Sequence, residues 1–287
     1  LRFNVNDSSD VDLHSAWGQW NFASNWNVRF GLFGEAMSRE DWANPQDLLG
    51  IDYSNNDFTF GIGSSIGAQL HYTGTRPRWW ASLSNGAFGT QDTFGNLDVA
   101  DLLFSGRWEY QIAGTDWSDW SDMMGRPGRP EGILLGIAGG YQLNEKENDE
   151  PRNAFQAIAD LSFAGDGYQA MIAGTLQPLE TRDDGWEYTG GILVQGGVFL
   201  TDTLELYGRY DLVSPGDRVG DLDNFNAFAV GVNFLPFGWT NRWKFTVEGQ
   251  YLADEINNTI VAPTSGLGWL ASDDAQWGLR LQAQVGF

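Results

Sequence analysis

The chain of 287 residues contains no cysteine, only two histidines and few basic side chains. Each scarcity removes a class of function. Without cysteine there is neither a disulfide framework nor a thiol nucleophile. Sixteen Lys and Arg against 38 Asp and Glu leave a formal net charge of -22, which repels phosphate backbones, so no nucleic acid is expected as a partner. No run of about 18 apolar residues occurs, and a transmembrane helix is excluded. Helix-period segments are missing too, and runs such as Gly190-Gly191 and Gly196-Gly197 are poor helix material. The opening residues carry no signal-peptide pattern, which suits a mature or trimmed chain.

What remains is a period of two. In the closing stretch QWGLRLQAQVGF, Trp277, Leu279, Leu281, Ala283, Val285 and Phe287 alternate with Gln276, Gly278, Arg280, Gln282, Gln284 and Gly286. Such alternation is a β-strand with two unlike faces, about 40 Å long at roughly 3.3 Å per residue. Similar segments recur at 14–22, 26–34, 66–73, 78–85, 100–110, 132–143, 153–164, 167–178, 187–200, 203–213, 225–234 and 240–252. With the short stretch 1–5 they make 14 traceable strands. Leu102, Phe104, Gly106, Trp108 and Tyr110 stand against Ser105, Arg107 and Glu109; Leu204, Leu206, Gly208, Tyr210 and Leu212 stand against Glu205, Tyr207, Arg209 and Asp211. A soluble sandwich shares this local pattern. Aromatics near strand ends and a strand number unusual for an open sheet favour a transmembrane antiparallel β-barrel, a single domain over 1–287.

Connection lengths agree. Long segments at 6–13, 35–65, 86–99, 144–152, 179–186, 214–224 and 253–275 alternate with short ones, as outer-membrane barrels require. One connection, 111–131, is too long for the short-turn side.

Residues 26–86 resemble the phosphate-selective porin O and P family. The matching pieces are Val28-Arg29-Phe30-Gly31-Leu32-Phe33, Ser38-Arg39-Glu40, Gly67-Ala68-Gln69-Leu70 and Ser84-Asn85-Gly86, with GILLGIAGGYQ at 132–142 fitting a later strand. The resemblance implies a 16-stranded homotrimeric porin in the bacterial outer membrane, embedded in lipid and lipopolysaccharide. It also implies that 35–65 folds into the lumen as a constriction loop, and that two further strands precede Leu1. The family's basic residue after the first of these strands is replaced here by Gly34 and Glu35, which counts against phosphate selectivity.

Parity assigns Arg29, His71, Arg78, Arg107, Glu109, Glu205, Arg209, Asp211, Lys244, Glu248 and Arg280 to the lumen. The inserted loop adds Glu35, Arg39, Glu40, Asp41, Asp47, Asp52 and Asp57. Six carboxylates against one arginine favour cations near it. The expectation is a channel, not an enzyme, for passive diffusion of ions and small hydrophilic solutes with mild cation preference. Ordinary salt bridging that stiffens the wall is the plainer reading of the same charges. Other functional readings are an anion- or phosphate-selective porin, an envelope-anchoring structural barrel, and an outer-membrane hydrolase for which only His14 and His71 could serve as imidazole base. No cofactor is expected. The outer acidic segments containing Glu145 to Glu150, Glu180 to Asp184, Asp217 to Asp223 and Asp273-Asp274 read as solvated surface or, more sharply, as carboxylates bridged by calcium. Asp116, Asp119 and Asp122 repeat at intervals of three without matching a calcium loop.

Overall fold

The computed structural model describes residues 2–5, 11–86, 102–114, 116–143, 153–180, 185–214, 224–238, 243–254 and 275–286. The outer acidic segments lie largely outside these residues, as do His14's side chain and Phe287. Fourteen strands follow in chain order: β1 (Arg2–Val5), β2 (Val11–Ala23), β3 (Trp26–Gly34), β4 (Ser64–Thr73), β5 (Pro77–Ser84), β6 (Leu102–Ala113) and β7 (Gly132–Leu143). Then come β8 (Asn153–Gly165), β9 (Tyr168–Glu180), β10 (Trp186–Thr201), β11 (Leu204–Ser214), β12 (Phe225–Phe234), β13 (Trp243–Leu252) and β14 (Gln276–Val285). They form one sheet in sequence order, each strand antiparallel to the next. The described strands match the fourteen traced from parity; the family's sixteen lies beyond them.

Register fixes the two faces. Arg29 stands opposite Gln69, Gln69 opposite Ser82 and Ser82 opposite Ser105, a polar row on one side. One residue along, Val28, Leu70 and Ala81 make an apolar row on the other. The apolar side is bare: Phe30, Ile137, Ile172, Val247 and, at 61%, Val230 are exposed, while Gln69, Glu205, Lys244 and Glu248 on the polar side are buried. A water-soluble protein packs the other way round. The sheet therefore curls with its polar face inward and its carbon outward, an all-β barrel of the outer-membrane type.

Aromatic contacts gather at both rims. At the end with short connections, Trp26 packs on Tyr72 (4.9 Å) and Trp79 (5.1 Å), and Phe237 packs on Trp243 (6.2 Å). At the other end Tyr210 meets Phe228 (4.9 Å) and Tyr251 meets Trp277 (4.4 Å). Two such belts suit the two interfaces of a bilayer, where a ring can keep its polar edge wet. One of three two-residue connections, Asp166-Gly167, uses glycine at φ 77° for the left-handed position of its hairpin.

Two connections leave the rim and enter the barrel. Residues 35–63 carry a 3-10 turn at Pro45–Asp47 and a short helix, α1 (Asn55–Phe60). Helix was not expected anywhere, because six residues are too few to show a period. It starts where Ser54 Oγ accepts from the Asp57 N–H at 3.0 Å. The second is 114–131, the connection too long for its side of the barrel. It turns inward from the opposite mouth, with Trp120, Met123 and Met124 buried. Val230 lies between Phe228 and Phe234 on the outward face, so Val230→Arg is expected to cost roughly 2–4 kcal/mol. Urea titration of folding into lipid vesicles measures that loss.

Candidate functional site

The lumen is the site, and its first feature is how loop 35–63 is held. Seven of its backbone carbonyls are taken by wall side chains, five of them between Gln46 and Asp52. Gln46 O accepts from Gln284 Nε2 (3.1 Å), Leu48 O from Lys244 Nζ (2.9 Å) and Leu49 O from Asn233 Nδ2 (2.9 Å). Ile51 O accepts from Gln282 Nε2 (3.3 Å) and Asp52 O from Arg209 Nη1 (2.8 Å). A loop crossing a barrel has no sheet partner, so these donors replace the ladder that its peptide groups lack. The loop begins at Glu35, whose carboxylate accepts from Ser82 Oγ (2.6 Å), Ser84 Oγ (2.5 Å) and Ser105 Oγ (2.6 Å) on β5 and β6. Farther on, Thr175 of β9 donates to Asn56 Oδ1 (3.1 Å) and Gln156 of β8 donates to Phe60 O (2.6 Å). The loop therefore reaches the wall from β5 around to β14.

The charges expected in the lumen are there, and most are neutralised in groups. Glu109 accepts from Arg78 Nε (2.5 Å) and Arg107 Nε (2.8 Å), with Arg39 of the loop at 3.8 Å. Arg107 also donates to Asp160 Oδ1 (2.9 Å) and Met37 O (2.8 Å). Gly136 stands in register with both Glu109 and Asp160, and any Cβ there would collide with the Arg107 guanidinium. Glycine here lets the guanidinium and the Asp160 carboxylate meet directly over the strand, and a side chain would push them aside. Arg209 lies 3.5 Å from Asp211 and 3.7 Å from Glu40. Glu248 accepts from Tyr207 Oη (2.7 Å) and Arg280 Nε (3.0 Å). Glu205 accepts from the Gly125 N–H and Asn233 Nδ2, both at 2.9 Å. Buried pairs of this kind add little net stability, but removing one partner strands a charge at a cost of about 3–5 kcal/mol.

The loop carboxylates are less uniformly charged than their number suggests. Burial, then Asp41 and Glu40 nearby, raises Asp57 well above the usual carboxylate range, and Ser38 Oγ donates to it. Burial raises Glu40 as well. Asp41 is pushed up to about 7 by burial and by the neighbouring Glu40 and Glu35. Asp52 is raised by burial and keeps part of its surface open, as does Asp47, to which Asn44 donates. Six formal negatives therefore overcount the field at neutral pH.

Arg29 is the lumen cation held differently. It is half-buried, donates to Gln19 Oε1 (3.0 Å) and lies 4.3 Å above the Trp17 ring. His71 is buried beside Gln69 Oε1 (2.5 Å), with the Trp42 and Trp80 rings within about 6 Å, ordinary van der Waals and edge-to-face spacing. Asp116 and Asp122 serve local structure: Asp116 accepts from the Ser118 N–H (2.9 Å), and Asp122 pairs with Arg126 (2.7 Å).

Sequence reasoning missed Asp160, Asn233, Gln282 and Gln284. Asp160 occupies the polar parity class of β8 and could have been found there. The neutral donors carry no charge to draw notice. Inward apolar residues were missed for a similar reason. Met171, Leu193 and Tyr207 of the wall pack with Ala43, Leu48 and Leu49 of the loop and Met123 of the second insertion. Polar parity does not forbid carbon where a loop comes to cover it.

No protein-family model matches the chain, and no curated protein matches it. Solved structures do. The trimer form of OmpT from Vibrio cholerae superimposes with a TM-score of 0.57 at 10% identity, over 97% of this chain and 83% of that one. An anion-selective porin from Comamonas acidovorans gives 0.55 at 11% identity, over 90% and 72%. Outer-membrane expressed OmpT of Vibrio cholerae gives 0.53 at 12%, over 91% and 77%. The resemblance to the phosphate-selective porins is thus reduced to its coarser content. The chain has the fold of porin-like outer-membrane β-barrels, and its bare apolar belt fits it to the bacterial outer membrane.

Proposed function

We propose that this barrel is an outer-membrane diffusion channel for ions and small hydrophilic solutes, with a mild preference for cations, assembled as a homotrimer and performing no bond chemistry. The observation that carries the reading is the inside-out partition of the sheet: carbon on the outer face, charge on the inner face, and loop 35–63 strung across the lumen. A strongly polar interior in a fold surrounded by hydrocarbon has water or a solute as its natural occupant. The wall charges cancel in groups, so the sign of selectivity falls to groups with open surface. Among the residues assigned to the lumen these are Asp41, Asp47 and Asp52 on the loop against Arg29, Arg78 and Arg280 on the wall. Arg78 and Arg280 are bonded to Glu109 and Glu248, so of the three guanidiniums only Arg29 faces the loop carboxylates without a carboxylate partner among the described residues. The trimer rests on the trimer form of the Vibrio cholerae structure and on the family resemblance. Among the described residues, the partners of His71 are Gln69 and two indoles, not the hydroxyl nucleophile and carboxylate that a hydrolase would place around it.

Anion selectivity is the second reading, and Arg29 favours it. Among the described residues no carboxylate lies within 4 Å of its guanidinium. A similar fold, in Comamonas acidovorans, is described as an anion-selective porin.

Conductance of the purified barrel in planar bilayers under a salt gradient decides between them. The expected reversal potential has the cation-selective sign and falls well short of the ideal limit; the opposite sign hands the channel to Arg29. The preference should also depend on pH. Because the Asp41 carboxyl is raised to about 7, it takes up a proton as pH falls through neutrality and its charge leaves the lumen. The cation-to-anion permeability ratio is expected to drop about twofold between pH 8 and pH 5.5. Asp41→Asn should show the low ratio at pH 8, and most of the change with pH should vanish.

A further inference from the structure

We propose that the 114–131 connection is a second constriction element, which enters from the short-turn mouth and clamps loop 35–63 in place, so that the bore of the channel is set from both ends. The inference deepens the channel reading and rests on it.

The segment is built into the barrel interior. On one side Trp117 Nε1 donates to Gly74 O (2.8 Å), and the Arg78 guanidinium stacks on its ring at 4.2 Å. On another, the Gly167 N–H donates to Arg126 O (3.1 Å) and Arg129 Nη1 donates to Gln169 Oε1 (2.6 Å). Farther round, the Gly125 N–H reaches Glu205 of β11. Between these anchors the segment meets the constriction loop directly. The Met123 N–H donates to Asp47 O (2.9 Å), and Arg39 Nη2 donates to Trp120 O (2.8 Å).

Arg39 is the joint. It belongs to the loop, bonds the insertion and stands 3.8 Å from Glu109 of the wall. The Trp120 ring is buried between Arg39 (5.4 Å) and Arg129 (5.1 Å), and packs on Leu134 and Ala164 of the wall. Met123 fills the same apolar cluster as Leu48 and Leu49, the part of the loop held by Lys244 and Asn233. A connection serving only to join β6 to β7 needs a few residues. This one spends its length reaching across the lumen to a loop from the other mouth, and Trp120 is its positioning residue.

Single-channel recording on the full chain tests the clamp. Replacing 116–129 by a short glycine-serine turn is expected to raise conductance about twofold and to add open-channel noise, because loop 35–63 loses its support. Trp120→Ala should do the same more weakly, and Trp120→Phe, which keeps a ring between the two guanidiniums, should restore the native trace. If the turn replacement does not fold, the Trp120 pair decides the matter on its own. Unchanged conductance and noise in a folded turn replacement, or equal behaviour of Trp120→Ala and Trp120→Phe, overturns the clamp and leaves the diffusion channel standing. A native barrel that is silent while the replacement conducts supports the clamp and overturns open diffusion. Silence from both overturns both.

Discussion

Hydrocarbon accepts no unpaired peptide group, and that constraint orders everything else in this molecule. A chain without a long apolar helix can cross a bilayer only as paired strands, so each of the strands here is matched to its neighbour in sequence. Pairing in turn fixes which side chains share a face. With carbon committed to the outside, the charged strand residues whose side chains are described, from Arg29 to Arg280, are driven inward. The lumen therefore inherits far more charge than a protein core could hold.

The inserted segments resolve that inheritance. Lys244 and Arg209 would be costly in a closed interior, yet each finds a carbonyl of loop 35–63 where the loop itself lacks a partner. The wall has donors to spare and the loop has acceptors to spare. Each arrangement makes the other affordable. Arg107 and Glu109 solve the same problem within the wall, with Gly136 leaving room for the guanidinium between Glu109 and Asp160. Cancellation in groups also explains how a strongly charged lumen can have only a modest field. On the proposed channel reading, what governs an ion is the small set of groups with open surface, among them Asp41, Asp47, Asp52 and Arg29.

Much of this was legible in the residues because a period of two is a local signal. Parity in 243–251 alone assigns Lys244 and Glu248 to the lumen, and the structure places both there, buried. The long 35–65 segment could be recognised as an insertion through its resemblance to a porin family. Pairing partners were not legible, since Arg107 meets Asp160 only through the stagger of β6, β7 and β8. Nor was α1, which exists because Ser54 caps it and the wall covers it. The 114–131 connection stood out by length alone. Its destination depends on Trp120 and Met123 finding apolar ground inside a polar barrel, and parity gives no notice of that.

The account depends on lipid, not protein, covering the outer face, and the absence of native cysteine makes this directly measurable. Nitroxide labels placed singly at successive positions along β12 and β13 in vesicles report contact with dissolved oxygen, which concentrates in hydrocarbon, and with a water-soluble nickel complex. Labels at Val230 and Val247 should respond to oxygen and ignore nickel, while labels at their inward neighbours should lose the oxygen response. Oxygen access without alternation, or outward labels shielded from both reagents on these strands and on every other strand scanned in the same way, would place protein against that face and contradict the barrel in its membrane.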